Sequence, residues 1–436
     1  MNLLPIPPGM ETEAFAMNPG ALNDVPELVR RHFQARRPWI VADENTWRAA
    51  GEKLFAVLKS AGLDPFDPFI FPAVPMLHAD DAITPRLTEA MPFDCVPVSV
   101  GGGTINDLVK RASAVTRHRY LCVPTASSVD GYTSYGAAMT DNGLKKTLPC
   151  LAPLAVAADT DVLKAAPPPM AASGYADLAA KVAGGADWVI ADELGIEPIR
   201  ADVWDLVQKD LRKWISDPAD IGAIFLGLAA TGYSMQMYRE SRPASGAEHM
   251  ISHLWEMENL EFKGVPVSHG FKVGIGTLAS TRTLELLLEQ DWAHLDVDAV
   301  VAQWWPSFDD VKATFPSLFG DRPAHIRRAE LEYAKKFPSR DTLRAELTAL
   351  QAKWPELSAR IRAQLLPFEE VRANLKKAGA PVEPEQIGVT RARFRETLRG
   401  VPYMRSRYFG LDLVLELGLM DALTDRLFGK QGIWAV

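Results

Sequence analysis

The stretch "VSVGGGTINDLVK" (Val98–Lys110) joins an apolar segment to an amphipathic one through the three glycines Gly101–Gly103. A short apolar run that ends in a glycine turn is typical of a buried parallel strand, and the residues after the turn follow a helical pattern. Glycines would let a phosphate approach the backbone at the N-terminus of that helix. The stretch is neither G-x-G-x-x-G nor a P-loop, so a tight turn without a ligand stays open as the alternative.

Apolar runs alternate with helical stretches on both sides of this turn. "PWIVAD" begins at Pro38 and "YLCVPTASS" begins at Tyr120, whereas only helical patterns follow the prolines of "AAPPPMAA" (Ala165–Ala172). Such alternation is typical of parallel strands with crossover helices. We therefore predict an α/β nucleotide-binding domain with a parallel sheet at residues 1–166, an all-α domain at residues 167–436, and an active site in the cleft between them.

Composition excludes several classes of partner. The 436 residues include 47 basic and 55 acidic side chains, a net charge of −8 that offers no electrostatic footprint for nucleic acid or an anionic membrane. The longest apolar segment, Ile221–Met235, is too short to span a bilayer, and the first residues lack a signal-peptide pattern. Cys95, Cys122 and Cys150 lie in apolar runs, as reduced thiols do. We expect a cytoplasmic protein without a nucleic-acid partner or a membrane span.

A second polar loop, "VPTASSVDGYTS", follows the next predicted strand. Open α/β sheets bind ligands at the carboxyl ends of their strands, where two such loops would meet. The hydroxyl groups of Thr125, Ser128 and Ser134 are candidates for contacts with a cofactor, and Asp130 could face a polyol substrate. A capping or turn role is the alternative for Asp130.

Asp43 closes the first predicted strand in "IVADENT". A carboxylate at this place could accept a hydrogen bond from an adenosine ribose hydroxyl and so disfavour the 2′-phosphate of NADP. A helix cap is the alternative, so the sequence leaves the choice between NAD and NADP open.

Three of the eight histidines lie close together in the chain. His249 and His253 in "SGAEHMISH" are four residues apart on a predicted helix, so their side chains share one face, and His269 follows in "SHG". Asp177 in "SGYADLAAK" is the best candidate for a carboxylate partner. Two nitrogens and one oxygen would leave coordination positions open, as a catalytic metal requires. H-x-x-x-H is frequent by chance, so histidines without a metal, in the core or at the surface, remain the alternative.

The order of these motifs resembles that of the sn-glycerol-1-phosphate dehydrogenases, within the superfamily of metal-dependent alcohol dehydrogenases, glycerol dehydrogenases and 3-dehydroquinate synthases. The resemblance runs from about Trp39 to beyond Gly276, and the C-terminal "LKKAGAPVEPEQIGV" is similar to the bacterial branch. It rests on six segments, which are "GGGTINDLVK", "VPTASSVDGYTS", "AVAADTDVL", "SGYADLAAK", "SRPASGAEHMISH" and "SHGFKVGIGT".

The resemblance implies a metal site formed by Asp177, His249 and His269. Lys181 stands where the iron-dependent alcohol dehydrogenases have a fourth ligand, a histidine. This departure favours a three-ligand zinc site, although nickel, iron or manganese would accept the same donors.

It also implies roles for the remaining candidates. His253 and Asp130 match positions that contact the substrate, and the N-terminal domain would bind the dinucleotide while the C-terminal domain binds metal and substrate. Six positions match cofactor-binding residues of the family, which are Gly102, Gly103, Asp107, Thr125, Ser128 and Ser134.

The implied activity is the NAD(P)-dependent interconversion of dihydroxyacetone phosphate and sn-glycerol 1-phosphate by metal-assisted hydride transfer, in a homodimer or larger homo-oligomer that serves phospholipid metabolism. Arg239 and Arg242 are candidates for the substrate phosphate, with a solvated surface as the alternative. The proton could come from His253 or from ordered water. The competing hypotheses are a dehydrogenase of an unphosphorylated polyol such as glycerol, and a non-catalytic paralogue that acts as a binding protein.

Overall fold

A computed structural model describes residues 5–34, 36–141 and 144–435. Its strands are β1 (Ala14–Asn18), β2 (Arg37–Asp43), β3 (Phe69–Phe71), β4 (Cys95–Gly101), β5 (Leu121–Pro124), β6 (Ala137–Asp141), β7 (Leu144–Leu148), β8 (Ala155–Asp159), β9 (Glu261–Phe262) and β10 (Val265–Pro266). Its α-helices are α1 (Val25–His32), α2 (Glu44–Thr46), α3 (Glu52–Ser60), α4 (Thr84–Ala90), α5 (Gly103–Thr116), α6 (Thr160–Ala165), α7 (Pro168–Ala179), α8 (Lys181–Glu193), α9 (Ala201–Trp214), α10 (Ile221–Tyr238), α11 (Ala247–Met257), α12 (His269–Leu288), α13 (Val297–Gln303), α14 (Phe308–Lys312), α15 (Phe315–Phe319), α16 (Pro323–Tyr333), α17 (Arg340–Gln364), α18 (Phe368–Lys377), α19 (Arg391–Gly400), α20 (Gly410–Glu416) and α21 (Met420–Phe428). Within the described ranges, no helix has both the length and the apolar character that a bilayer span needs.

The chain divides into two compact units. The first comprises Met1–Leu178 and Asp202–Ala244, and the second comprises Ala179–Ala201 and Ser245–Val436. The first unit thus includes α10, whose Phe225 and Ala229 join the core on one face of its sheet. The domain boundary predicted after residue 166 stays a prediction, and these units divide the chain at other positions.

The first unit contains a six-stranded parallel sheet with the order β1-β8-β5-β4-β2-β3. β4 and β5 are buried along their whole length, as the apolar runs predict for central parallel strands. The predicted parallel α/β fold is therefore confirmed. The edge strands β1 and β3 were not predicted from the sequence. "FIF" has only three residues, and "AFAMN" becomes a strand by pairing with β8, which is distant in the chain.

Helices cover both faces of this sheet. Successive residues of β2 point to opposite faces, so Trp39 and Val41 join one core cluster while Ile40 and Ala42 join the other. The first cluster includes Ile105 and other apolar residues of α5, and the second includes apolar residues of α1 and α3. The resulting three layers place the carboxyl ends of β2, β4 and β5 at one edge.

The second unit is mostly helical, as predicted, with one exception. β9 and β10 form a short antiparallel hairpin in which Phe262 pairs with Val265. The two connecting residues, Lys263 and Gly264, both have positive φ angles, of 55° and 75°, which suits a two-residue hairpin turn. A strand pair this short leaves no periodic pattern in the sequence.

The helices α11 and α12 of the second unit pack closely at Gly276. A Cβ atom at Gly276 would lie 2.5 Å from the carbonyl oxygen of Glu248 and 3.0 Å from its Cα atom. Backbone atoms cannot move aside as the end of a flexible side chain can, so this crossing requires glycine. It fixes the distance between His249 on α11 and His269 on α12.

We expect Gly276→Ala to lower the free energy of unfolding by about 1–3 kcal/mol, because the added methyl group must push the two helices apart. Denaturant unfolding of the metal-free protein measures the change. An unfolding midpoint equal to that of the wild type would contradict the proposed contact.

Candidate functional site

The glycine turn connects β4 to α5, with Gly102 as the N-cap residue of the helix. A Cβ atom at Gly101 would lie 2.6 Å from the Cβ atom of Ile105, and one at Gly103 would lie 2.9 Å from Val129. At Gly102 the nearest atom, Cε of Met170, would be at 3.8 Å, which is ordinary contact. Internal packing therefore requires glycine at positions 101 and 103 but leaves the space at Gly102 open, next to the N–H groups of the first helical turn.

The loop after β5 is held by hydrogen bonds among its own residues. The backbone N–H of Thr125 donates to the carbonyl oxygen of Gly101 at 3.1 Å, which joins this loop to the glycine turn. The hydroxyls of Ser128 and Tyr132 are 3.0 Å apart, and that of Ser134 donates to the Gly131 carbonyl at 3.0 Å. A cofactor that contacts Ser128 or Ser134 must therefore bond to the hydroxyl lone pairs or hydrogen that these internal bonds do not use.

Lys110 of α5 holds this loop through hydrogen bonds, and this role was not predicted from the sequence. Its buried ammonium donates to the carbonyl oxygens of Gly131, Ser134 and Gly136 at 2.9, 3.0 and 2.9 Å, and to the Ser134 hydroxyl at 3.1 Å. Asp107, a predicted cofactor residue, lies 3.7 Å from the same ammonium. The sequence offered little signal for this role, because Lys110 shares its helix face with the polar residues Asn106 and Ser113.

Asp43 lies at the carboxyl end of β2 and caps α2. Its Oδ1 atom accepts hydrogen bonds from the backbone N–H groups of Asn45 and Thr46 at 2.8 and 2.9 Å. The helix cap that the sequence left open is thus present, while the contact with a ribose stays a prediction.

Asp177 is fully buried on α7, in the first unit. Its Oδ2 atom accepts a hydrogen bond from the backbone N–H of Asp130 at 3.1 Å, so one predicted metal ligand is bonded to one predicted substrate residue. Three residues earlier, a Cβ atom at Gly174 would overlap with the carbonyl oxygen of Ser127. Glycine at position 174 therefore lets α7 pack directly against the loop after β5, and this close packing determines how deeply Asp177 is buried.

His249, His253 and His269 form one cluster in the second unit. Their ring centroids are 6.4 Å apart for His249 and His253, 5.3 Å for His249 and His269, and 6.0 Å for His253 and His269. In each ring the Nδ1 atom is bonded to a carboxylate. His249 is 2.7 Å from Oε1 of Glu248, and His253 and His269 are 3.0 and 2.8 Å from the two oxygens of Glu256. Nε2 is therefore the nitrogen through which each ring would bind a ligand.

The surroundings of Glu256 favour its ionised form. Burial alone would raise the pKa of its carboxyl, but the ammonium of Lys272, 3.3 Å away, and the adjacent imidazoles hold the pKa well below its usual value. Burial lowers the pKa of His253 to about 4, although Glu256 opposes this effect.

Asp177, His249 and His269 are the one group of three potential metal ligands found among the residues that the structure describes. One ligand atom of each lies within 4.8 Å of the others. One carboxylate oxygen and two imidazole nitrogens are donors that zinc and other borderline divalent ions accept, and they leave coordination positions open. The residues fit the metal that the sequence motifs imply, and their roles as ligands stay predictions.

The two arginines considered for a substrate phosphate differ in their surroundings. Arg239 forms an ion pair with Glu11, and its guanidinium lies 5.0 Å from the ring centroid of Tyr135. Arg242 is buried, at 1% exposure. Arg239 is therefore committed to a surface pair, and a contact of either residue with phosphate stays a prediction.

Three residues around the histidines were not predicted from the sequence: Glu248 and Glu256, which bond to the rings, and Lys272, which pairs with Glu256. The helical spacing offered a signal for two of them. Glu256 follows His253 by three residues on α11, and Lys272 follows His269 by three residues on α12, so each pair shares a helix face.

Comparisons with known proteins place the chain in a family. Glycerol-1-phosphate dehydrogenase (NAD(P)+) of Geobacillus thermodenitrificans is 30% identical over 409 residues, which cover 90% of this chain and 89% of that protein. The protein of the same name from Bacillus subtilis is 37% identical over 264 residues, which cover 58% of this chain and 66% of its own. The chain belongs to the glycerol-1-phosphate dehydrogenase family. The resemblance drawn from the ordered motifs is thereby confirmed.

One family model and several solved structures also match this chain. The family model described as iron-containing alcohol dehydrogenase matches residues 16–167. Glycerol dehydrogenase from Schizosaccharomyces pombe shares the fold with a TM-score of 0.55 and 16% identity, covering 95% of this chain and 90% of its own. Maleylacetate reductase from Agrobacterium tumefaciens has a TM-score of 0.55 and 15% identity, covering 98% of both chains. The fold of this glycerol-1-phosphate dehydrogenase family member is thus shared with proteins of different names.

We expect Lys110→Met to lower the free energy of unfolding by roughly 2–4 kcal/mol, because three loop carbonyls lose a charged donor and Asp107 loses a cation. Hydrogen exchange of the amides in residues 131–136 should become faster in the folded protein. Lys146→Met is the control, because Lys146 pairs with Asp141 at the surface of the β6–β7 hairpin. Equal stability and exchange in the two variants would contradict a fastening role for Lys110.

Proposed function

We propose that this protein interconverts dihydroxyacetone phosphate and sn-glycerol 1-phosphate with NAD or NADP as hydride carrier. The observation that carries the proposal is the group of Asp177, His249 and His269, with ligand atoms within 4.8 Å of one another, in a chain of the glycerol-1-phosphate dehydrogenase family. A non-catalytic binding protein would have no chemical need for these three buried or half-buried ligands together.

A divalent cation held by Asp177, His249 and His269 would supply Lewis-acid polarisation of the substrate carbonyl oxygen. We propose zinc, since three protein ligands are usual for catalytic zinc, and nickel or iron as alternatives that accept the same donors. His253 and Asp130 would contact the hydroxyl groups of the substrate. Asp130 is suited to this because its backbone N–H is bonded to Asp177 at 3.1 Å, which holds the residue beside a proposed ligand.

The dinucleotide would bind at the carboxyl edge of the parallel sheet. The open space at Gly102 and the N-terminus of α5 support a pyrophosphate site there. Gly103, Asp107, Thr125, Ser128 and Ser134 surround this turn or follow the next strand, and we propose that they complete the cofactor site. Asp43, at the end of β2, would contact the adenosine ribose, which would favour NAD over NADP.

We further propose that the protein works in the cytoplasm as a homo-oligomer and supplies glycerol phosphate for phospholipid metabolism. The cytoplasmic setting is supported by Cys95, Cys122 and Cys150, which are buried and free. The oligomer and the metabolic role rest on the family resemblance.

The decisive experiment measures turnover and metal content together. Metal-free protein is reconstituted separately with zinc, nickel, iron and manganese, and the oxidation of NADH and of NADPH is followed with dihydroxyacetone phosphate or unphosphorylated dihydroxyacetone. We expect about one metal per chain and turnover of the phosphorylated ketone to the 1-phosphate stereoisomer. Equal turnover of both ketones would favour a polyol dehydrogenase, and no turnover in any metal-loaded protein would exclude the dehydrogenase hypothesis.

His249→Ala and His253→Ala should separate the two proposed roles. The first variant should lose metal binding together with activity, because it removes a ligand. The second should keep most of its metal and lose activity with dihydroxyacetone phosphate, because it removes a substrate contact. Metal analysis after dialysis, paired with steady-state kinetics, distinguishes these outcomes, and metal loss in both variants would contradict the division.

Gly102→Ala should weaken the binding of NADH at least tenfold with a small effect on stability, because its methyl group would occupy the proposed phosphate space. Gly101→Ala is the matched comparison and should destabilise the fold, since its methyl group would collide with Ile105. Fluorescence titration with NADH and thermal unfolding report the two effects. Unchanged NADH affinity in Gly102→Ala would place the pyrophosphate elsewhere.

A further inference from the structure

One carboxylate holds two imidazoles of the candidate site. The Oε1 atom of Glu256 lies 2.8 Å from Nδ1 of His269, and its Oε2 atom lies 3.0 Å from Nδ1 of His253. The ammonium of Lys272 is 3.3 Å from Oε1, and the Glu256 side chain is only 13% exposed. The two rings are on different helices, so the carboxylate spans the α11–α12 contact.

These contacts determine which nitrogen of each ring carries the proton. An ionised carboxylate only accepts hydrogen bonds, so an imidazole that bonds to it through Nδ1 must carry a hydrogen on that atom. In a neutral ring the Nε2 atom then has a lone pair. This form of His269 can bind a metal through Nε2, and this form of His253 can accept a hydrogen bond there.

We propose that Glu256 is a positioning residue that sets the Nδ1–H tautomer in both the metal ligand His269 and the substrate-contacting His253. The proposal rests on the function proposed above for its assignment of these two histidines. It specifies that site further, because Glu256 occupies the Nδ1 atom of His253 and leaves Nε2 to face the substrate. In the neutral ring this atom accepts a hydrogen bond from an alcohol O–H group.

His249 provides an internal comparison. Its Nδ1 atom is 2.7 Å from Glu248, and the same carboxylate oxygen accepts the backbone N–H of Gly246 at 2.7 Å. Because a different carboxylate holds His249, loss of Glu256 should leave its tautomer unchanged. A general disturbance of the site would alter all three rings.

The first test uses the unaltered protein and observes the ring nitrogens directly. Protein labelled with ¹⁵N in histidine is studied by long-range ¹H–¹⁵N correlation spectra, without metal and with Zn²⁺, and the signals are assigned with His253→Gln and His269→Gln. We expect the Nδ1–H pattern for both residues. An Nε2–H pattern for either one in the metal-free protein would overturn the proposal.

The second test uses Glu256→Gln, with Glu289→Gln as the control. Glu289 lies at the C-terminal end of α12, where it pairs with Arg426 at the surface, so the control makes the same charge change away from the histidines. Competition with a chromophoric chelator measures the affinity for Zn²⁺. We expect Glu256→Gln to weaken Zn²⁺ binding about 10–100-fold and to alter the spectra of His253 and His269, while the control changes neither.

The outcomes separate this proposal from the proposed function. Zn²⁺ affinity and tautomers are measured without substrate or nucleotide, so an enzyme inactive toward dihydroxyacetone phosphate would refute the function and leave this inference standing. Unchanged Zn²⁺ affinity and unchanged histidine spectra in Glu256→Gln would refute the inference whatever the activity. If Glu256→Gln does not fold, as judged by circular dichroism, the tautomers of the unaltered protein still decide the question.

Discussion

The close approach of α11 and α12 is the constraint on which the candidate histidine cluster depends. At Gly276 the backbone of one helix touches that of the other, since a Cβ atom there would lie 2.5 Å from the Glu248 carbonyl oxygen. This separation brings the ring centroids of His249 and His269 to 5.3 Å. It also allows Glu256 on α11 to reach His269 on α12. A wider spacing would leave the carboxylate bonded to His253 alone.

Buried charge imposes a second requirement on the same residues. A carboxylate removed from water is costly unless hydrogen bonds and an opposite charge compensate for the lost solvation. Glu256 meets this requirement with two imidazoles and the ammonium of Lys272. Lys110 illustrates the reverse case in the first unit, where a buried ammonium is surrounded by loop carbonyls and lies near Asp107. At Glu256 and at Lys110, the contacts that compensate for lost solvation of the buried charge also fix the geometry of a predicted site.

Much of the fold could be predicted from the sequence, as could the grouping of Asp177, His249 and His269, whose roles stay predictions. The apolar runs of β2, β4 and β5, in alternation with helical stretches, and the turn at Gly101–Gly103 indicated the fold, and the ordered motifs indicated the family. The edge strands β1 and β3 could not be predicted in this way, because their structure depends on partners distant in the chain, such as β8 for β1. Helical spacing likewise places Glu256 on the face of His253, but its contact with His269 depends on how two helices cross. No pattern within a single helix contains that information.

The glycines show most clearly what the structure adds to the sequence. Gly101, Gly102 and Gly103 are neighbours in the sequence, but the space for a side chain differs among them. A side chain would collide with Ile105 at position 101 and with Val129 at position 103, whereas at position 102 it would make only ordinary van der Waals contact. Gly174 and Gly276 belong with the blocked positions, since neighbouring backbone fills the space of a side chain at both. The φ angle of Gly102 is −77°, which any residue adopts without strain. Folding therefore does not require glycine at position 102, and this supports the proposal that a ligand approaches the start of α5.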